Sequence, residues 1–310
     1  MNRADNGPTR PERELDSALV VAGHGRHYVI ETPEGVRVHA HPRGKKSDCV
    51  VGDRVRWLPT GPVQGVIETI EPRRNLLLRQ DEARSKAFAA NLDRLLILVA
   101  GEPMFSEAQL ARALLAARHA GIAATIVLNK VDLESAAVAR ERLAPYRAMN
   151  EDIVELSLKT LPEGAHALLM PRLAGCATLL LGQSGMGKST LINRFVADAP
   201  AQVGELTRAL NAGRHTTTTT RWYWLEPQRH TALIDSPGFQ EFGLQQIDAA
   251  TLPVLMPDLA RWATECRFYN CTHRHEPGCG VREALARGAI DPSRYRIYEQ
   301  IHDELTARRW

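Results

Sequence analysis

The stretch Gly182-Gln183-Ser184-Gly185-Met186-Gly187-Lys188-Ser189 carries glycines at the spacing that lets a backbone wrap a chain of phosphates, its N–H groups pointing inward. It follows the apolar run Thr178–Leu181 and precedes Leu191, Ile192 and Phe195 at helical spacing, which is the strand–loop–helix context such a loop needs. Lys188 is expected to reach the β- and γ-phosphates and the Ser189 hydroxyl to ligate Mg²⁺, with Thr190 completing the nucleotide-binding stretch. A second segment, Asn129-Lys130-Val131-Asp132, names the base. A carboxylate at Asp132 accepts from both guanine N1–H and the exocyclic amine, a donor pair that adenine lacks, and an unpaired Asp132 is costly. Asn129 suits a bridge to guanine N7 and neighbouring loops, and the stem of Lys130 suits the base face. Ser157-Leu158-Lys159 follows the run Ile153–Leu156, where a loop whose backbone contacts guanine O6 belongs. GTP with Mg²⁺ is the expected ligand.

The remaining chemistry lies downstream. Ile234-Asp235-Ser236-Pro237-Gly238 ends another apolar strand; Asp235 is expected in the Mg²⁺ shell and the Gly238 N–H against the γ-phosphate. Between this motif and the phosphate loop lies His215 followed by Thr216 to Thr220. One of those hydroxyls should ligate Mg²⁺: Thr217, with Thr216 and Thr218 as register alternatives. Many GTPases carry Gln directly after Asp-x-x-Gly, but Phe239 stands here and cannot hydrogen-bond water. His215 is the candidate for orienting the attacking water, since an imidazole titrates near neutral pH. Finally, Cys266-x4-Cys271-x-His273-x5-Cys279 offers three thiolates and one imidazole, a set that suits a closed, structural zinc site. His275 is a rival ligand, though the Cys-x-His spacing favours His273. Cys49 and Cys176 are expected to be inert.

These groups need elements to hold them. Short strands at Ala18–Ala22, His27–Glu31, Val36–His39, Asp53–Leu58 and Gln64–Ile70, broken by Pro/Gly turns, predict a small all-β barrel, OB-like, with an SH3-like barrel as the alternative. Basic residues in its loops and just after it, Arg43, Lys45, Lys46, Arg73, Arg74 and Arg79, are candidates for RNA backbone contact. From Leu92 onward, apolar strands alternate with helices such as Glu107–His119 and Lys188–Val196, the pattern of a mainly parallel α/β sheet. The end of the chain reads as helical around the Cys/His loop, closing in a helix over Tyr295–Arg309. The expected division is a disordered lead over 1–17, the barrel over 18–85, the α/β domain over 86–250 and a helical zinc-binding module over 251–310. Net charge is only +3, so bulk charge does not argue for nucleic acid. The polar, Pro-containing start, the odd number of cysteines and the absence of any long apolar run predict a cytoplasmic protein that binds no membrane.

The order of the motifs along the chain is unusual. The guanine-reading segments precede the phosphate loop, whereas ordinary GTPases have the reverse order. Joining the old ends and cutting after the Asp235–Gly238 motif produces this arrangement while every strand keeps its neighbours. On this order, the run Ser236–Leu244 and the zinc motif, the chain resembles the ribosome small-subunit-dependent GTPase A family over nearly its whole length. The resemblance implies a monomeric GTP hydrolase that binds 16S rRNA and the 30S subunit late in 30S maturation, with turnover stimulated by the particle. The competing readings are a non-enzymatic rRNA-binding adaptor with a relic nucleotide pocket, and an ATP-using kinase or ATPase.

Overall fold

The computed structural model describes residues 15–44, 48–81, 84–197, 220–236, 242 and 244–307. The first strands are β1 (Asp16–His24), β2 (His27–Glu31), β3 (Arg37–Pro42), β4 (Arg54–Gly61) and β5 (Gln64–Ile70). In β3 the buried residues Val38, Ala40 and Pro42 alternate with less buried Arg37, His39 and His41, the period-2 pattern of a half-buried strand. β1 pairs antiparallel with β2 and β4, β2 with β3, and β4 with β5, while β3 and β5 pair in parallel. That parallel pair places β5 between β3 and β4, so the barrel is a Greek key of OB type rather than an SH3-like meander. Val20, Ile30, Val38, Val55, Trp57 and Ile67 fill it. Gly65 is obligatory beneath the indole, because a Cβ there would lie 2.3 Å from the Trp57 ring.

A hairpin that the sequence reading lacked, β6 (Leu76–Asp81) with β7 (Arg84–Ala90), follows the barrel and spans the expected boundary at 85/86. It touches both sides: Ala89 bridges to Val51 of the barrel and Arg79 to Phe242.

The α/β part contains β8 (Arg94–Val99), α1 (Glu107–His119), β9 (Ala123–Leu128), α2 (Ala136–Ala148), β10 (Ile153–Glu155), α3 (Pro162–Leu173), β11 (Ala177–Leu181), α4 (Lys188–Phe195), β12 (Arg221–Trp224) and β13 (Ala232–Asp235). The strand order is β10-β9-β8-β11-β13-β12, parallel as far as β13, with β12 antiparallel. β8 and β11 read as near-continuous buried apolar runs, as strands covered on both faces must. From β8 the chain works outward to β10, returns through α3 to β11 beside β8, and then builds the other half. Ligands of open α/β sheets bind where the strand order reverses in this way, outside the carboxyl ends of the strands.

The barrel and this sheet are continuous, since β12 pairs with β1 at Arg221 and Ala22, giving an 11-stranded sheet among the described residues. A buried carboxylate clamps the seam. Glu31, 5% exposed, accepts from Trp224 Nε1 at 2.7 Å, Arg37 Nε at 3.2 Å and Arg229 Nη1 at 3.3 Å.

The C-terminal helices are α5 (Pro257–Ala263), α6 (Gly280–Ala286) and α7 (Pro292–Ala307). α7 starts before the Tyr295 read from periodicity. Pro292 opens the helix, and Asp291 Oδ1 accepts from Ser293 N at 2.7 Å as its cap. Arg294, 2% exposed, ties α7 down: it donates to both oxygens of Asp258, at 2.8 and 3.2 Å, and lies over the Tyr146 ring of α2. No helix among the described residues is long and apolar enough to cross a membrane.

Candidate functional site

Parallel strands end on one side of their sheet, and the expected site residues sit there. Asn129 follows β9, Ser157 follows β10, Gly182 follows β11, and Asp235 closes β13. Asn129 is the joint between them. It is 3% exposed; its Nδ2 donates to Met186 O at 2.9 Å and its Oδ1 accepts from Leu158 N at 3.0 Å. One side chain thus holds the phosphate loop and the 157–159 loop together. The same contact explains Gly187, whose φ of 109° suits glycine. A Cβ there would come within 2.3 Å of Asn129 Nδ2.

Lys130 adopts φ 62° and its ammonium reaches Glu102 O at 2.7 Å, while Val131 N donates to Leu156 O at 3.4 Å, just beyond β10. Asp132 is exposed. Its carboxyl is held below the usual carboxylate range, chiefly by a hydrogen bond from Ser157 and then by Lys159 and Lys130. The Ser157 oxygen also accepts from Thr160 N at 3.2 Å, fixing the loop that carries Lys159.

In the phosphate loop, Gly182 lies flat against β8, where a Cβ would meet Leu98 O at 2.8 Å. Gly185 and Gly187 take positive φ, with Gly187 as the N-cap of α4, so the loop feeds the helix N-terminus. Gln183 is pinned by Nε2 to Gln109 Oε1 at 2.6 Å and Met186 is buried, whereas Ser184, Ser189 and Thr190 are exposed. Lys188 Nζ donates to the carbonyls of Gly182 and Gln183. Burial pushes the Lys188 ammonium below its ordinary pKa and the Asp235 carboxyl above its own, and the attraction between the two works against both shifts. One half-buried lysine and one half-buried carboxylate thus act on each other at this sheet edge. Ser236 Oγ donates to Leu180 O at 2.8 Å, anchoring the strand end that presents Asp235. His215, Thr216, Thr217, Thr218, Gly238 and Phe239 lie outside the described residues.

The metal motif converges. The ligand atoms of Cys266, Cys271, His273 and Cys279 all lie within 4.8 Å of one another. Cys266 Sγ and Cys279 Sγ are 3.9 Å apart, and His273 Nδ1 is 3.4 and 3.5 Å from them. A tetrahedral zinc site with metal–sulfur bonds of ~2.3 Å and metal–nitrogen bonds of ~2.0 Å has edges of roughly 3.5–3.8 Å, which Cys266, His273 and Cys279 match closely; Cys271 Sγ, also 3.7 Å from Glu276 Oε2, completes the donor set within 4.8 Å. His273 is buried while the rival His275 is exposed and outside the cluster. Sequence reading missed what shapes this loop. The Glu276 carboxylate accepts from Thr272 N, Thr272 Oγ1, Arg274 N and His275 N, and Tyr295 and Tyr298 hydroxyls donate to His273 O and Thr272 O at 2.6 Å each.

Of the basic residues expected to face RNA, Arg43 and Arg74 keep exposed side chains in surface ion pairs, and Arg73 is held inward. Arg73 grips the buried Asp53 with two nitrogens, at 2.7 and 2.8 Å, and Arg74 pairs with Asp93 at 2.7 Å. Arg43 pairs with Glu68. Arg73 clamps the barrel's own loop to its neighbour, with a further bond to Asp48 O at 2.6 Å. Arg79 also has a partner, and Lys45 and Lys46 lie outside the described residues.

The sequence pattern of the family described as RsgA GTPase matches residues 70–245. The chain belongs to the RsgA GTPase family. It is 55% identical to the small ribosomal subunit biogenesis GTPase RsgA of Variovorax paradoxus (strain S110), over 96% of this chain and 95% of that protein. It resembles the crystal structure of YjeQ from Thermotoga maritima with a TM-score of 0.68 and 30% identity, covering 95% of this chain and 100% of that one. The crystal structure of YloQ, a circularly permuted GTPase, matches with a TM-score of 0.67 and 22% identity over 98% of this chain and 99% of that one, a likeness of fold. As an RsgA GTPase the chain is a GTP hydrolase, with an N-terminal five-stranded barrel, a circularly permuted α/β domain and a C-terminal helical region carrying a Cys₃His cluster.

Proposed function

We propose that this chain binds GTP and Mg²⁺ across the β8–β11 crevice, docks on the small ribosomal subunit through 16S rRNA late in 30S maturation, and hydrolyses GTP faster when docked. The observation that carries the nucleotide half is the Asn129 bridge, which couples the base-reading segment to the phosphate loop through one buried amide. In this reading Asp132, kept ionised by Ser157 and its lysine neighbours, accepts from guanine, Lys130 covers the base face, and the 157–159 backbone meets O6. Gly182 to Thr190 cradle the phosphates, and phosphate oxygens replace the loop carbonyls as the partners of Lys188. Ser189, Asp235 and Thr217 hold Mg²⁺, which supplies charge neutralisation at the transferring phosphoryl group. Gly238 reads the γ-phosphate and His215 positions the attacking water. Zinc, in the Cys266, Cys271, His273 and Cys279 cluster, is structural: four protein donors leave no place for water.

The domain limits 18–85, 86–250 and 251–310 belong to the same proposal, with the hairpin as a shared element at the first boundary. The particle half is supported by the 55% identical Variovorax relative, a small ribosomal subunit biogenesis GTPase.

Nucleotide competition tests the site. GDP and GTP should displace a fluorescent guanine nucleotide, and ATP should need on the order of a hundredfold more or higher, because Asp132 stays unpaired against adenine. Equal displacement by ATP would remove the guanine assignment.

A further inference from the structure

Neither the nucleotide site nor the metal cluster uses the residues between the ligands Cys266 and Cys271. Arg267, Phe268, Tyr269 and Asn270 are all exposed. Tyr269 reaches 103% of its reference accessibility and Phe268 stands 40% exposed. Aromatic rings carry the largest apolar payload of any side chains, so two in succession at the surface mark a contact surface. The loop beneath them is tethered at both ends by ligand residues, and Cys271 N donates to Phe268 O while Arg267 N donates to Gly278 O at 2.9 Å. Its backbone is fixed and its side chains are offered outward.

The surrounding charge is cationic and interleaved with rings. The Arg267 guanidinium lies 5.5 Å over Phe268, and Arg267 has no acidic partner among the described residues. On the preceding helix, Trp262 is flanked by Arg261 at 4.9 Å and Arg287 at 4.3 Å. The carboxylate facing Arg287, Glu265, is 3.9 Å away with both side chains about half exposed, too weak a pair to neutralise it.

We propose that this metal-pinned loop is a stacking platform for an unpaired base of RNA, with Tyr269 taking the base face and Arg267 the adjoining phosphate. Rings interleaved with guanidiniums suit a polyanion with exposed π-faces. An apolar protein partner would instead call for a desolvated pocket, and here the rings are exposed and flanked in the chain by Arg267 and Asn270. An A-form duplex hides its base faces, so the partner is single-stranded. The inference rests on the reading that the chain docks on an RNA-rich particle, and it names the residues and the state of RNA that are recognised.

The test uses the full-length, zinc-loaded chain and a labelled, unstructured purine-rich oligoribonucleotide, alone and annealed to its complement. Tyr269→Ala should weaken single-strand binding about tenfold and leave duplex binding unchanged. Tyr269→Phe should keep wild-type affinity, and Arg267→Gln should lower the slope of log affinity against log salt by about 0.7. Zinc content checks that each variant is folded, and Arg267→Gln carries the test if Tyr269→Ala loses metal. Wild-type affinity in Tyr269→Ala, or no binding of the single strand by the wild-type chain, overturns the platform. So does a loss of affinity for small subunits with none for the oligonucleotide, which would assign the loop to a protein partner. Failure of wild-type chain to bind small subunits at all would instead sink the particle reading.

Discussion

At the scale of single residues, the site depends on side chains that do two things at once. The motif Asn129–Asp132 was legible in the sequence because it is local. The grip of Asn129 on Met186 O and Leu158 N was not, since the partners lie 57 and 29 residues away and meet only through the parallel sheet. The same distance limit explains the arginines. Arg73 looks like a free cation in the sequence, but Asp53, 20 residues earlier, is buried and needs a partner, so the guanidinium is taken. The water-positioning role of His215 rests on sequence position alone. Replacing it with Ala should leave GTP affinity within about twofold while lowering particle-stimulated turnover by roughly 10²–10⁴, read by equilibrium binding and phosphate release; undiminished turnover would remove His215 from the mechanism.

Among the elements, two barrel strands were readable to the residue: β2 and β5 fall on the expected segments His27–Glu31 and Gln64–Ile70. The hairpin β6–β7 was not. Its residues Leu76-Leu77-Leu78 and Ala87-Phe88-Ala89-Ala90 give no period-2 signal, and it is held from outside by bridges to Val51 and Phe242. Nor could the sequence show that β12 joins β1, because an edge pairing between distant strands leaves no local pattern. Glu31 is the clamp of that seam. Glu31→Ala should lower stability by about 2 kcal/mol, since it strands a buried indole N–H and the partly buried Arg37 and Arg229. A chemical denaturation midpoint equal to wild type would show that the seam is held by the strand pairing alone.

For the whole molecule, permutation places the end of β13 close to the start of the helical region, while the barrel is fused to the edge strand of the same sheet. Asp235 thus closes the strand that precedes the helical region in the chain, and its neighbour β12 pairs through Arg221 with β1 of the barrel. The helical region itself should depend on its metal. A small loop pinned by four ligands gains folding energy from the ion, so chelation should expose 264–280 to proteolysis while GDP binding persists; resistance to cleavage after zinc removal would show that Glu276, Tyr295 and Tyr298 suffice. The central claim is that GTP hydrolysis answers to the small subunit. The direct measurement is steady-state phosphate release by the wild-type chain with and without purified 30S subunits at low and moderate salt. The free chain should turn over slowly, the particle should accelerate it at least tenfold, in keeping with the roughly 10²–10⁴-fold contribution of a correctly positioned catalytic group, and salt should abolish that acceleration as it weakens the phosphate contacts. Equal turnover with and without the particle would contradict it.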